Sequence, residues 1–172
     1  GSTLQLITTE LEVDGTLTID ANKTLDLNGQ NLDTSGGLII TNNGTIKLQG
    51  DEIVDATPTN NSGSSVEYTA TSGTRAIRDW TYRSLKINGT GGTFTMHSLG
   101  EVLGENLTVS AGTFDLNNYT LSVNGTTTIN GGTMKTGTAV VTFGDGTGTD
   151  NVVISGTGEL QLQSDITTTD IV

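Results

Sequence analysis

The chain has 172 residues, with 24 glycines, one proline, no cysteine and a formal net charge of −12. That size suits one domain with a real core, and the missing cysteines exclude a disulfide framework and thiolate metal sites. The acidic balance argues against nucleic acid and anionic membrane as partners, charge is too sparse for a disordered chain, and no apolar run approaches the roughly 20 residues of a membrane span.

Gly1-Ser2 reads as a cloning scar, and no signal-peptide pattern follows it. From there the dominant pattern is period-2 alternation, supported by 34 threonines, whose β-branching favours extended chain. Thr16-Leu-Thr-Ile19, Thr24-Leu-Asp-Leu27 and Thr45-Ile-Lys-Leu48 each place apolar residues on one face. Leu17 to Leu38 and Leu25 to Ile46 are both steps of 21 residues. Asn-Gly pairs at Asn28, Asn43, Asn88, Asn124 and Asn130 supply the positive φ of tight corners.

Between Asp51 and Ser65 the alternation stops, the only proline appears and small polar residues crowd. This segment is expected to be an insertion loop protruding from one corner, a passive excursion or a binding loop. The next segment, Thr74 to Ile87, holds Arg75, Arg78, Trp80, Tyr82, Arg83 and Lys86. Arginine forks beside aromatic faces are suited to sugar rings or carboxylates of a surface polymer. The plainer reading is one irregular coil whose Trp80 packs on the core and whose arginines neutralise nearby acids, with a helical turn as an alternative for its backbone.

Beyond it the repeat becomes exact. Thr93-Phe-Thr-Met96, Thr113-Phe-Asp-Leu116 and Thr133-Met-Lys-Thr136 recur every 20 residues, as do Leu121 and Val141, and Leu107 and Thr127. Leu85 precedes Leu107 by 22, which joins the two halves. Three short strands per coil, joined by two- to four-residue corners, define an all-β, right-handed parallel β-helix, a β-solenoid of about seven to eight coils of 20–22 residues. Outward Asp26 and Lys47, and Asp115 and Lys135, then face each other across ladders. Leu25, Ile46, Phe94, Phe114, Met134 and Leu160 form one expected inward column.

The segments Ser72–Met96 and Asn106–Gly146, with GTFDLNNYTLSVNG at 112–125, resemble the secreted parallel β-helix repeats of bacterial surface proteins, of the filamentous-haemagglutinin-like adhesin and autotransporter-passenger type. The resemblance covers about half the chain and departs from the type in its basic Arg75-Arg78-Arg83-Lys86 set. It implies an extracellular, surface-exposed stalk or adhesin and transfers no catalytic residue.

Other chemistry is thin. Asp145 and Asp150, in Gly-rich sequence, partly match a calcium nonapeptide, although one copy lacks the second turn such sites need. His97 is the only histidine, so a triad or zinc site would rest on it alone. The acids Asp26, Asp115 and Asp165 fall on scattered coils, which speaks against a glycan-cleaving enzyme, and Thr-x-Thr pairs at 16/18, 93/95, 126/128 and 167/169 do not stack as an ice-binding face would require. Seven Asn-x-Ser/Thr sequons follow from corner asparagines beside abundant threonine. The expectation is a single non-enzymatic structural or adhesive domain without a cofactor, excised from a longer surface protein. Its expected partners are a surface glycan or host protein, neighbouring domains and, through its uncapped ends, copies of itself. Carbohydrate binding is the alternative function.

Overall fold

The computed structural model describes residues 1–172 except 34–35, 98–99, 146, 148–149, 164–165 and 169–172. It is an all-β parallel solenoid of about seven turns, and no helix occurs among the described residues. Among the described residues every strand pairing is parallel and joins a strand to its equivalent one coil away, because the chain completes a turn of three sides before it meets itself again. On the first side the chain stacks Thr3–Gln5, Thr24–Asp26, Thr45–Leu48, Ser65–Tyr68, the start of Ser84–Thr95, the start of Leu107–Asp115, Thr127–Ile129 and Val152–Ile154. Thr3 pairs with Thr24, Ser65 with Ser84 and Thr127 with Val152.

The second and third sides each consist of two ladders. In the N-terminal coils the second side is Leu11–Glu12 on Leu32–Asp33, extended by a bridge from Leu32 to Val54, and the third is Thr16–Ile19, Ile39–Asn42 and Thr59–Asn60. In the C-terminal coils the second side runs from Thr74–Ala76 through the ends of the two long strands to Thr133–Lys135 and Glu159–Gln161. The third is Glu101–Leu103, Leu121–Val123, Val141–Phe143 and Ile166–Thr168. The second side breaks between Val54 and Thr74 and the third between Asn60 and Glu101, where residues 77–83 belong to no strand.

The 20-residue register of Thr93, Thr113 and Thr133 is observed, as are Leu25 on Ile46 and Leu121 on Val141. Three expectations change. Leu17 pairs with Ile40 rather than Leu38. The single inward column is two: Leu25 and Ile46 continue into Val66, Leu85 and Leu107 on the first side, whereas Phe94, Phe114, Met134 and Leu160 stack on the second. The segment 51–65 is a coil of the solenoid, not a protruding insertion. Val54 bridges Leu32, Thr59–Asn60 pair with Thr41–Asn42, and Val54, Pro58 and Glu52 are buried.

The core is a continuous column of aliphatic side chains with Tyr68, Tyr82, Phe94 and Phe114 fully buried at its middle. Phe94 and Tyr68 approach at 5.7 Å between ring centroids, tilted by 56°. One corner shows why glycine is required. Gly112 has φ +75°, and a Cβ there would stand 2.2 Å from the Gly89 carbonyl oxygen of the preceding coil. Outside, charges alternate up the first side as Asp26, Lys47, Glu67 and Lys86, with Lys86 Nζ 3.4 Å from Glu67. Glu67 is buried and also accepts from Asn88 Nδ2 at 2.7 Å, whereas the exposed charges contribute little stability; a slip of one coil would set like charges together, so the alternation fixes register.

Candidate functional site

The break in the two ladders leaves backbone groups of the third coil without strand partners, and the basic-aromatic segment supplies them. The Arg78 guanidinium donates to the carbonyls of Glu52 and Val54, 26 and 24 residues earlier. Asn60 Nδ2 donates to the Thr81 carbonyl at 2.9 Å, and Arg75 pairs with Asp51 at 3.1 Å. Arg83 Nε stands 3.7 Å from Glu105 on the following coil. Burial alone would raise the Glu105 pKa, but the Gly63 N–H, the Ser62 hydroxyl and Arg83 together hold it below the ordinary value. Arg78 therefore acts as a ladder substitute, while Arg75 and Arg83 are ion-paired, which engages the forks expected to read a ligand carboxylate.

The aromatics are committed too. Trp80 is 6% exposed and Tyr82 fully buried, and the strand Thr74–Ala76 followed by irregular chain replaces the helical turn considered from spacing. The Arg78 guanidinium lies 5.6 Å from the Trp80 ring centroid. Tyr68, which the sequence reading did not single out, completes the junction. The Arg78 N–H donates to the Tyr68 oxygen at 2.8 Å, and the Tyr82 hydroxyl donates to the Arg78 carbonyl at 2.7 Å. The Tyr82 proton being spent, the 2.9 Å contact between the hydroxyls must be Tyr68 donating to Tyr82. Both backbone groups of Arg78 are thus held by one buried pair. Burial raises the Tyr68 pKa to about 12 and that of Tyr82 well above its usual value, so both stay neutral donors.

Two regions that the sequence separates meet here. Asp51 and Glu52 from one coil, Ala76 to Trp80 from the next and His97 from a third wall an open cleft of about 350 Å³. At its end Glu101 lies near Asp79, Arg78 and His97. Burial, and next the Asp79 carboxylate, push the Glu101 pKa up to about 7. A carboxyl whose pKa is raised on folding stabilises the fold below its ordinary range and loses that contribution as pH rises through 7. Glu101→Gln should therefore melt with wild type near pH 4.5 and roughly 2–4 °C above it near pH 8, the shift that about 1 kcal/mol produces in a chain of this size. Equal melting temperatures at the higher pH would refute the assignment.

The cleft combines carboxylates, one imidazole and the edge of an indole, a set able to hydrogen-bond a hydroxylated ligand. Among the described residues no group of three or more His, Cys, Asp or Glu is placed to share a metal. Asp145 accepts from the Thr147 hydroxyl at 2.6 Å and its N–H at 2.8 Å, which lowers the Asp145 pKa and makes a local turn. Asp150 is partly exposed, and Gly146, Gly148 and Thr149 between them lie outside the described residues, as do Asp165 and Thr169. No family model, curated protein or solved structure matches the chain.

Proposed function

We propose that this chain is a non-enzymatic structural and adhesive module of a secreted or cell-surface protein, a stiff β-helical stalk that presents its corners or neighbouring domains. The observation that carries the reading is the unbroken first-side ladder, which runs from Thr3 to Ile154 through every coil. Each coil is hydrogen-bonded to the next and shares one apolar column with it, so bending the rod strains bonds and packing together. The Arg75–Asp51 pair and the Arg78 bridges join the third coil to the fourth where the second side stops, and Arg83–Glu105 joins the fourth to the fifth, keeping the two halves in line. Pulled by its ends in single-molecule force spectroscopy, the chain should resist extension and then lengthen in steps of about one coil. Random-coil extension at low force would remove the stalk reading.

A second reading, recognition of a surface glycan, is favoured by the opening of the exposed Asp51, Asp79 and His97 onto one cleft. Trp80→Ala would damage the core, so His97→Ala and Asp79→Asn are the informative variants on a glycan array. Signals for wild type that both variants lose would support the cleft, and an array without any wild-type signal would eliminate it.

A further inference from the structure

A five-residue pattern, Thr-x-Asp-Leu-Asn, occurs at 24–28 and again at 113–117, and each copy is followed one coil on by Thr-x-Lys, at 45–47 and 133–135. The structure gives both copies one geometry. Asp26 lies beside Lys47 and Asp115 beside Lys135 in register. The Oδ1 of each aspartate accepts the N–H two residues on, from Asn28 at 3.0 Å and from Asn117 at 2.9 Å.

Their surroundings differ. In the first copy Gln5, paired with Asp26 from the coil before, donates its Nε2 to the second carboxylate oxygen at 2.9 Å. The Gln49 amide of the coil after lies over Gly29, 3.2–3.4 Å from where a Cβ would stand. The protein's own amides fill that copy. In the second, the residue paired with Asp115 is Thr95, whose hydroxyl donates to the Arg75 carbonyl instead. What remains is an open groove of about 240 Å³ lined by Asp115, Asn117, Asn118, Lys135, Gln161 and Gln163. Asn118 Oδ1 accepts the Thr138 N–H at 2.9 Å and hydroxyl at 3.0 Å, which anchors one edge.

We propose that this groove binds an acetamido sugar, one N-acetylhexosamine residue of a surface polysaccharide. The group that satisfies the aspartate in the filled copy is an amide N–H, and an acetamido N–H offers the same donor to Asp115. The remaining amides and the Lys135 ammonium supply donors and acceptors for ring hydroxyls, while Asp115 disfavours a uronate. The volume lies below the 300–1,000 Å³ of drug-sized sites, so one ring fits rather than an oligomer. With no exposed aromatic among those lining residues, affinity is expected at about 1 mM, raised by repetition along a polymer. The proposal rests on the chain being a surface module, but it uses a different place from the cleft at His97.

Titration of the labelled chain by NMR with an N-acetylglucosamine tetramer, a glucose tetramer and a uronate tetramer tests it. The first alone should bind, with shifts confined to the groove. Asn117→Ala should weaken binding about tenfold. Thr95→Gln, which installs the glutamine of the filled copy, should abolish binding while the melting temperature holds, and His97→Ala should leave it unchanged. Equal binding of the glucose tetramer would overturn the acetamido assignment, and binding lost in His97→Ala but kept in Thr95→Gln would transfer the site to the cleft. If no tetramer binds, the groove proposal fails, whatever the chain's behaviour under force.

Discussion

Replacing Phe114 with alanine should lower the unfolding free energy by about 3–5 kcal/mol, the cost of deleting a buried aromatic and leaving a cavity. Phe114 has no exposed surface and is stacked between Phe94 and Met134, both equally buried, on successive coils. The site cannot collapse easily, because the coils above and below are held apart by their ladder at the roughly 4.8 Å spacing of paired strands. In a solenoid the loss falls on a coil-to-coil interface, so the C-terminal coils should unfold separately from the rest. Urea unfolding of the variant should show a lower midpoint and a smaller slope, or two transitions. Ile7→Ala, at a residue 76% exposed, is the control and should change stability by less than about 0.5 kcal/mol. A Phe114→Ala variant that unfolds with the wild-type midpoint would mean that the second-side column contributes little to the rod.

The repeat that defines the fold was legible because strict alternation at fixed period allows little else. Thr93, Thr113 and Thr133 and their inward neighbours stack as spacing required. The coil at 51–65 was not legible, because its inward positions are Glu52, Val54, Ala56 and Pro58 with Ile53 outside, so its in-and-out alternation is not one of apolar with polar residues. One bridge from Leu32 to Val54, the Asn42–Asn60 side-chain bond at 2.8 Å and the buried Glu52 tie it down. Separating one inward column into two was equally out of reach, since Leu25 and Phe94 share an alternation pattern but lie on different sides. At the candidate cleft, composition found Arg78 and Trp80, yet their work depends on carbonyls a coil earlier that no local pattern reveals. The groove is a sharper case. Both Asp-Leu-Asn segments are visible in the sequence, but the coils on either side distinguish them, with Gln5 and Gln49 beside the first and Thr95 and Gly137 at the equivalent places beside the second.

Glu52→Ala should cost about 3 kcal/mol or more, although no salt bridge of Glu52 is involved. The side chain is 2% exposed, and its carboxylate accepts three backbone N–H groups: Gly29 at 3.0 Å, Gln49 at 2.5 Å and Gly50 at 2.7 Å. Gly29 belongs to the preceding coil, so this one group joins two coils at a corner where a strand ladder does not. Alanine leaves three donors without a partner, each costing about 1–3 kcal/mol where water cannot reach it. Glu52→Gln separates acceptor from charge. Its remaining oxygen can serve Gly29 and Gln49, while its amide nitrogen meets the Gly50 N–H donor to donor, so its loss should fall between wild type and alanine. The corner also supports the cleft, because Arg78 donates to the carbonyl of Glu52 itself. Hydrogen exchange should therefore quicken at Gly29, Gln49 and Gly50 in the alanine variant and spread to the Arg78 amide, while Phe114 and its neighbours stay protected. Uniform loss of protection along the whole chain would show instead that the rod unfolds as one cooperative unit, and protection unchanged at all three amides would show that the carboxylate is not their partner.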